Sequence, residues 1–374
     1  MKKIAIIVGT RPEIIKCSPI IRLCEKRGVD YFIIHTGQHY DFNMDKIFFD
    51  ELGIEPEMIN LDVGSGSHAE TTAKIISGIE KIFSELKPDV VLVQGDTNTV
   101  LAASLVSTKL HIQLGHVEAG LRSYDRRMPE EYNRIICDHI SDYLFAPTKL
   151  AEKNLYAEGI SKNDVLYYDK IKTPQVILTG NTIVDAIYEN LDKANKSQIF
   201  SKLRIERGKY FLVTAHREEN VDHRDKLFGI LNGLKNIVEH YDIPIVFPIH
   251  PRTRKRLEEF GLMNQLNSIK NIKLIEPLGF FDLLALEANA KLVLTDSGGI
   301  QEETCSLRVP CVILRDRSDR SESLNIGASM LAGCDPDKIL SMTEIMINKN
   351  RDWENPFGDG RAAERIIDYI LKNV

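Results

Sequence analysis

Charged and polar side chains follow short apolar runs directly at five places along the chain. Residues 4–8 and 90–94 are typical of these runs. Because open parallel sheets bind ligands at the carboxyl ends of their strands, we expect the polar clusters to lie at a ligand-binding edge. The clusters are Thr10-Arg11-Pro12-Glu13 with Lys16, Gln94-Gly95-Asp96-Thr97, His116-Val117-Glu118-Ala119-Gly120, His216-Arg217-Glu218-Glu219-Asn220 and Asp296-Ser297-Gly298-Gly299-Ile300-Gln301-Glu302-Glu303.

Three of the clusters and a later acidic pair supply an acid–base set. Asp96, Glu118 and the pair Glu130/Glu131 belong to the first half of the chain, and His216 belongs to the second. Carboxylates and a histidine are the side chains that move protons on and off carbon or oxygen. A helix N-cap would explain Asp96 alone, and a first-turn acid after a proline would explain Glu130 alone. Their joint occurrence at strand ends favours a catalytic role.

Two places predict the binding of an anion. Arg11 precedes a proline suited to a helix's first turn, and Lys16 follows one turn later, so both belong near a helix N-terminus. Asp296-Ser297-Gly298-Gly299 precedes a helix predicted over residues 300–306, where two glycines let backbone N–H groups approach a phosphate. Glu302 and Glu303 are predicted in the first turn of that helix. A carboxylate there either favours the helix dipole or accepts both hydroxyls of a ribose.

Several cofactor sites are not supported by the sequence. Gly64-Ser65-Gly66-Ser67-His68-Ala69 matches a dinucleotide pattern, but it lies far from the first strand and lacks the acidic residue about 20 positions later. No Walker A motif is present. Gly37 breaks the helix that metal binding by His35 and His39 would need, so we expect loop contacts there. We therefore expect no metal and no NAD. His250 suits a ligand contact and a helix cap equally.

The elements that would position these residues alternate between apolar runs and longer amphipathic stretches, which is typical of βαβ units around a parallel sheet. A chain of 374 residues, 43% of them hydrophobic, suits about two domains. We predict an α/β protein with two doubly wound Rossmann-like domains facing a cleft, comprising residues 1–185 with 361–374, and residues 186–360. The strand runs are residues 4–8, 31–35, 90–94, 112–117, 143–146, 176–179, 210–214, 245–249, 272–275, 292–295 and 311–314.

Charge and hydrophobicity limit the partners. With 48 basic and 54 acidic residues, the net charge of −6 offers no general attraction to nucleic acid or anionic lipid. The first apolar run is too short for a signal peptide, and no later run reaches the roughly 18 apolar residues of a membrane span. The six cysteines are scattered and form no C-x-x-C pair, as expected in a reducing compartment. We expect a cytoplasmic protein without membrane or nucleic-acid partners.

Eight motifs, taken in order, resemble those of the non-hydrolysing UDP-N-acetylglucosamine 2-epimerases over nearly the whole chain. The motifs are Gly9-Thr10-Arg11-Pro12-Glu13, Thr36-Gly37-Gln38-His39, Gly95-Asp96-Thr97, His116-Val117-Glu118-Ala119-Gly120-Leu121-Arg122, Pro129-Glu130-Glu131-x-Asn133-Arg134, Thr179-Gly180-Asn181-Thr182, His216-Arg217 and the run from Asp296 to Glu303.

The resemblance implies a fold like that of the B-type glycosyltransferases, with the last helix returning to the first domain. It also implies a UDP-sugar substrate and a homodimer. The catalytic residues by motif position are Asp96, Glu118, Glu130 and His216; the substrate-binding residues are Arg11, Lys16, Arg134, Ser297, Gly298, Glu303 and Arg320; the residues of an activating UDP-N-acetylglucosamine site are Gln38, His39 and His250.

The implied reaction is reversible conversion of UDP-N-acetylglucosamine to UDP-N-acetylmannosamine. One motif departs from the family pattern: Arg315-Asp316-Arg317-Ser318-Asp319-Arg320-Ser321-Glu322 keeps Arg320 and Glu322 but lacks a proline and shortens a glutamate. Epimerases of related 6-deoxy or uronic UDP-N-acetyl sugars therefore stay open. So do a hydrolysing epimerase that releases N-acetylmannosamine and UDP, a B-type glycosyltransferase and a UDP-sugar sensor.

Overall fold

The structure is a computed structural model and describes residues 2–37, 51–54, 58–160 and 174–374. The chain forms two compact units, Met1–Glu189 together with Phe357–Val374, and Asn190–Pro356. The predicted boundaries at residues 185 and 360 each lie four residues from these bounds. None of the described helices combines the length and the apolar character needed to cross a bilayer.

Each unit is built on a parallel sheet. Within the described residues the first sheet has seven strands in the order β3-β2-β1-β4-β5-β6-β7, and the second has six in the order β10-β9-β8-β11-β12-β13. The strands are β1 (Lys3–Val8), β2 (Asp30–His35), β3 (Met58–Asn60), β4 (Val90–Gln94), β5 (Gln113–Val117), β6 (Tyr143–Ala146), β7 (Gln175–Leu178), β8 (Phe211–Thr214), β9 (Ile245–Pro248), β10 (Ile272–Ile275), β11 (Leu292–Thr295), β12 (Cys311–Ile313) and β13 (Ser329–Leu331).

Helices connect the strands and cover the sheets. In chain order the described helices are α1 (Arg11–Arg27), α2 (His68–Leu86), α3 (Asn98–Lys109), α4 (Pro129–Ile140), α5 (Lys149–Ala157), α6 (Thr182–Ala194), α7 (Ile199–Leu203), α8 (Glu218–Val221), α9 (Arg224–Tyr241), α10 (Pro251–Glu259), α11 (Met263–Ser268), α12 (Phe280–Ala288), α13 (Gly298–Ser306), α14 (Ser321–Asn325), α15 (Pro336–Ile347) and α16 (Ala362–Asn373).

The order of the strands creates one switch point in each sheet. In the first unit β1 pairs with β2 on one side and with β4 on the other, so Ile7 lies opposite both Ile34 and Val93. In the second unit β8 lies between β9 and β11 in the same way. The connections leave such a pair of neighbouring strands in opposite directions, which opens a crevice at their carboxyl ends. The loops after β1, β4, β8 and β11 carry predicted site residues.

Two strands were not predicted from the sequence. β3 and β13 contain three residues each, and the alternating or continuous apolar pattern of a strand is not visible over so short a length. Both lie at the outer edge of their sheets. Their omission therefore leaves the predicted order of the inner strands unchanged.

The last helix returns to the first unit and is capped by an aspartate there. Asp185 on α6 is buried and accepts hydrogen bonds from the N–H groups of Ala362 at 3.1 Å and Ala363 at 2.9 Å. These are the first two residues of α16, whose N–H groups have no partner within their own helix. Burial raises the pKa of Asp185 to about 6, although the two N–H groups act in the opposite direction.

Replacing Asp185 by alanine should loosen the start of α16. The loss of two acceptors is expected to speed hydrogen exchange of the Ala362 and Ala363 amides by at least about tenfold, which corresponds to ~1.4 kcal/mol. Exchange is measured by NMR or mass spectrometry. The matched control is Asp192→Ala, at an exposed position on α6, the helix that carries Asp185. Equal exchange in wild type and Asp185→Ala would show that the cap does not hold the helix.

Candidate active site

Glu118 lies immediately after β5 and forms a buried ion pair. Its carboxylate oxygen Oε2 is 2.6 Å from Nζ of Lys16 on α1, and the side-chain amide of Gln94 donates to the same oxygen. Only 6% of Glu118 is exposed. The structure thus brings together a predicted catalytic carboxylate and a predicted anion-binding lysine.

Asp96 lies two residues after the end of β4, and its contacts connect it to α4. Its Oδ2 is 2.6 Å from Nη1 of Arg134, and its carbonyl accepts a hydrogen bond of 2.8 Å from Asn133. Arg134 also pairs with Glu131 at 3.0 Å. The predicted substrate-binding arginine is therefore in contact with two carboxylates of its own unit, one of them the predicted catalytic Asp96.

The adjacent acids Glu130 and Glu131 differ in what surrounds them. Glu131 is buried and accepts hydrogen bonds from the N–H groups of Ser123 at 2.9 Å and Tyr124 at 2.8 Å. Burial opposes ionisation of Glu131, but these N–H groups and Arg134 outweigh it, so the pKa of Glu131 is lowered. Glu130 is half-buried and makes no side-chain hydrogen bond with another described residue. Glu130 is the acid of the two that is available to a ligand.

Glu13 joins two loops of the crevice, a role that we did not predict. It accepts hydrogen bonds from the N–H groups of Gly9 at 2.6 Å and Thr10 at 2.8 Å, and from the Thr97 hydroxyl at 2.5 Å. Thr97 caps α3 and follows Asp96 directly. The Thr10-x-x-Glu13 spacing is that of a capping box, which was the available sequence signal. Burial raises the pKa of Glu13 to about 7 against the effect of these donors.

In the second unit His216 lies just beyond β8 beside a buried aspartate. The backbone N–H groups of His216 and Arg217 each donate to Asp296 at 3.0 Å. Nδ1 of His216 is 3.4 Å from Oδ1 of Asp296, and 38% of the His216 side chain is exposed. Burial lowers the pKa of His216; Arg217 and His250 lower it further, whereas Asp296 raises it. The net lowering leaves the imidazole neutral at pH 7, able to accept a proton or donate its own.

His250 performs one of the two roles considered for it. It is the N-cap of α10, and its Nδ1 accepts a hydrogen bond of 3.2 Å from the N–H of Arg252. Its ring centroid is 5.5 Å from that of His216. Burial and Arg252 lower the pKa of His250. A ligand contact at His250 stays a prediction.

The glycine-rich helix of the second unit begins two residues earlier than predicted. Ser297 is the N-cap, and α13 starts at Gly298 rather than at residue 300. A Cβ on Gly298 would lie 3.6 Å from Asp319 and no closer to another side chain, which is an ordinary contact. The packing of the described chain thus does not itself require glycine at the helix N-terminus.

The earlier start corrects the prediction for Glu302 and Glu303, which lie in the second turn of α13 and not in the first. Glu302 is buried and ion-paired with Nε of Arg320, which also lies 3.1 Å from Asp319. Glu303 is half-buried, and its carboxylate makes no hydrogen bond or ion pair with the other described residues. Arg320, predicted to bind substrate, is thus in contact with two acids of its own unit.

The segment that departs from the family pattern is anchored to α13. The Ser318 hydroxyl donates to Gln301 at 2.6 Å and accepts from the Arg320 N–H at 3.0 Å. Arg315 lies 3.2 Å from Asp319 and 2.6 Å from Glu219. The shortened acid at position 319 thus has two arginine partners, which sequence reasoning did not identify.

The remaining predicted residues are Gln38, His39, His35 and Arg11. Gln38 and His39 are outside the described residues. His35 is the last residue of β2 and is buried. Arg11 is the first residue of α1 and is half-buried. Among residues 2–37, 51–54, 58–160 and 174–374, no group of three or more histidine, cysteine or acidic side chains is arranged to hold a metal ion.

The family model for UDP-N-acetylglucosamine 2-epimerase matches residues 22–371. The chain belongs to this family. It is 53% identical to the UDP-N-acetylglucosamine 2-epimerase of Methanocaldococcus jannaschii, over 98% of each chain. It is 37% identical to the UDP-2,3-diacetamido-2,3-dideoxy-D-glucuronate 2-epimerase of Pseudomonas aeruginosa, over 99% of each chain.

A solved structure extends the likeness to the fold. The crystal structure of the Methanocaldococcus jannaschii UDP-GlcNAc 2-epimerase in complex with UDP-GlcNAc and UDP matches with a TM-score of 0.89 and 52% identity, covering 99% of this chain and 100% of that one. The predicted fold class, with two Rossmann-like α/β domains as in the B-type glycosyltransferases, is confirmed.

The raised pKa of Glu13 predicts a pH-dependent contribution to stability. In the folded chain the Glu13 carboxyl keeps its proton up to about pH 7. In the unfolded chain its pKa is the usual 4.5, so the proton is released at a lower pH. Between these values wild type should lose stability relative to Glu13→Gln, by up to about 1.4 kcal/mol per pH unit as the pH rises. Denaturant unfolding from pH 4 to 8 measures the difference.

The control is Glu25→Gln, the same substitution at an exposed position of α1. It separates the burial of a carboxyl group from the loss of one negative charge. If wild type and Glu13→Gln give parallel curves over the whole range, Glu13 does not titrate in the way expected.

Proposed function

We propose that this chain interconverts UDP-N-acetylglucosamine and UDP-N-acetylmannosamine reversibly at C2, by elimination and re-addition of UDP and without metal or NAD. The observation that supports this most directly is the placement of Asp96 and Glu118. They follow the neighbouring strands β4 and β5, each in contact with a cation of its own unit. Membership of the family and the named relatives support the choice of substrate.

The chemistry explains why this set of residues is suited to the reaction. The hydrogen on C2 of the sugar is not next to a carbonyl, so its direct removal is very difficult. If the bond between C1 and the UDP oxygen breaks, its electron pair leaves with UDP, and the electrons of the C2–H bond form a C1=C2 double bond. A carboxylate takes the proton. Protonation of C2 on the opposite face and return of UDP to C1 complete the epimerisation.

We assign three of the four proposed proton-transfer residues to the first unit. Asp96, Glu118 and Glu130 are the proposed proton carriers, because Asp96 and Glu118 follow the ends of β4 and β5 and Glu130 is an available acid in the first turn of α4. Arg11 and the N-terminus of α1 are proposed to stabilise the diphosphate as it leaves. Lys16 pairs with Glu118 and therefore balances charge at the carboxylate as well as at the anion.

We assign UDP binding to the second unit. The N–H groups at the start of α13, with Ser297 and Gly298, suit a diphosphate, because the first N–H groups of a helix have no partner within the helix and favour an anion. Glu303, whose carboxylate is available, is proposed to accept the ribose hydroxyls. Neutral His216 completes the proposed acid–base set.

Three further proposals come from the sequence: the location from its composition, and the homodimer and the activating site from the resemblance. The enzyme is proposed to work as a homodimer in the cytoplasm. Tyr132 and Ile136, which lie one turn apart and exposed on α4, offer an apolar surface for association. An activating UDP-N-acetylglucosamine is proposed to bind at Gln38, His39 and His250.

The deciding experiment is incubation with UDP-N-acetylglucosamine in heavy water, followed by proton NMR. Deuterium at C2 in UDP-linked manno and gluco sugars is expected. Free N-acetylmannosamine with UDP would replace the proposal with the hydrolysing reaction. Turnover only with an added acceptor would indicate a glycosyltransferase, and UDP binding without turnover would indicate a sensor. Turnover of a uronic or 6-deoxy sugar alone would reassign the substrate.

Glu118→Gln keeps the shape of the side chain but removes its proton-accepting oxygen. The rate of C2 exchange should fall by at least about two powers of ten, roughly 2.7 kcal/mol of barrier. Glu85→Gln, an exposed position on α2, is the matched control with expected normal turnover. Near-normal exchange in Glu118→Gln would remove Glu118 from the proton transfer.

Glu303→Ala should weaken UDP binding about tenfold, as expected for one charge-assisted hydrogen bond of ~1.5 kcal/mol. Calorimetric titration with UDP measures the dissociation constant. Glu206→Ala, at an exposed position of the same unit, should bind UDP normally. An unchanged dissociation constant in Glu303→Ala would place the ribose elsewhere.

A further inference from the structure

A buried ion pair joins β5 of the first sheet to α4. His116 is the second-last residue of β5, and its ring is fully buried. Nδ1 is 2.7 Å from Oδ1 of Asp138 on α4, and Nε2 is 2.8 Å from the carbonyl oxygen of Gly95. The proton transfers proposed above use neither His116 nor Asp138.

The contacts determine the protonation state of His116. A carbonyl oxygen only accepts, so Nε2 carries a proton. Asp138 also accepts from the Gly120 N–H at 3.1 Å and lies 2.7 Å from Arg122, so it is ionised and Nδ1 carries a proton as well. Burial and Arg122 each lower the pKa of His116, but Asp138 and the Gly95 carbonyl outweigh them, so the pKa is raised. Burial would raise the pKa of Asp138, but His116 and Arg122 lower it.

The imidazolium holds the loop that carries Asp96. Gly95 donates its N–H to the Val117 carbonyl at 3.1 Å and accepts from His116 through its own carbonyl. Both polar backbone groups of Gly95 are thereby attached to β5. Because Asp96 is the next residue, the direction in which it leaves the sheet depends on this attachment.

The carboxylate of the same pair holds the loop that carries Glu118. Asp138 accepts the N–H of Gly120, two residues after Glu118. Glu118 has a φ of 74°, in the left-handed region that is unfavourable for a residue with a side chain. Its conformation must therefore be maintained by its neighbours. Gly120 also has a positive φ of 84°, and a Cβ there would lie 2.3 Å from the Ala151 carbonyl, so glycine is required.

We propose that His116 and Asp138 are positioning residues, which together hold the two loops that present Asp96 and Glu118 to the substrate. The inference deepens the proposed function and rests on it. His116 itself does not touch the reacting atoms, because its ring is buried and both nitrogens are already hydrogen-bonded. Its contribution is the separation and orientation of the two carboxylates, to which proton transfer is very sensitive.

Two substitutions of His116 separate positioning from simple stabilisation. In His116→Asn the amide nitrogen reaches the place of Nδ1 and keeps the contact to Asp138, but it is too short for Gly95. In His116→Gln the amide nitrogen reaches the place of Nε2 and keeps the contact to Gly95. Both variants remove the buried positive charge, so their general effect on folding should be similar.

The expected result is a difference in kcat. His116→Asn should lower kcat for C2 exchange by about a hundredfold with little change in KM, as expected for a displaced catalytic group. His116→Gln should retain at least about ten times more activity than His116→Asn. Hydrogen exchange of the peptide containing Asp96 and Thr97 should be faster in His116→Asn than in His116→Gln, while both variants unfold at similar temperatures.

Glu158→Gln is the control for the network as a whole. Glu158 binds Arg122 at 2.6 Å, and among the described residues its side chain makes no hydrogen bond with Gly95 or Gly120. This variant should keep the wild-type kcat. Any fall in the unfolding temperature of Glu158→Gln measures the effect of losing the Arg122–Glu158 contact while the two loops stay in place.

The outcomes distinguish the two proposals. If wild type exchanges C2 hydrogen and His116→Asn matches it, or if both His116 variants lose activity equally, the positioning role is wrong while the proposed function stands. If wild type binds UDP but shows no C2 exchange, the proposed function is wrong and the positioning role falls with it.

Discussion

The carboxylates that follow β4 and β5 depend on nearby cations and N–H donors. A carboxylate withdrawn from water is stable only when such groups replace its hydration. Lys16 compensates the buried Glu118, and Arg134, itself buried, pairs with Asp96, whose side chain is 31% exposed. These cations come from α1 and α4, so the packing of two helices on the sheet decides where the carboxylates stand. A change in that packing alters the site without touching an acidic residue.

The positions of the carboxylates could be predicted from the sequence, whereas their partners could not. An apolar run followed by Asp96 or Glu118 already indicates a strand end, because a parallel sheet is buried on both faces and its strands are predominantly apolar. Lys16 and Glu118 are 102 positions apart, and only the tertiary fold brings them together. The capping-box spacing of Thr10 and Glu13 is a sequence signal for a local role of Glu13 that we did not use, and it does not predict the hydrogen bond to Thr97.

Neighbouring acids show the same limit more sharply. Glu130 and Glu131 are the same residue type, but consecutive residues of a helix point about 100° apart. Glu131 therefore accepts a hydrogen bond from the loop at Ser123, whereas Glu130 does not. Glu302 and Glu303 differ in the same way. Both lie on α13, but only Glu302 faces Arg320 and forms an ion pair with it. The face of the helix on which an acid lies decides whether the acid is structural, and an error of two residues in the predicted helix start assigned both acids to the wrong turn.

Two histidines show how one side chain serves opposite purposes in this protein. His116 lies between an ionised carboxylate and a carbonyl oxygen, both acceptors, so both of its nitrogens keep their protons. His216 is close to Arg217 and His250, and its burial and these neighbours outweigh Asp296, so it is neutral. A protonated imidazole cannot accept a further proton, but it can donate two hydrogen bonds and so hold a loop. A neutral histidine with 38% of its side chain exposed is a weaker anchor and a better proton carrier. The acceptors that surround each ring therefore separate the fixed parts of the proposed site from the reactive ones.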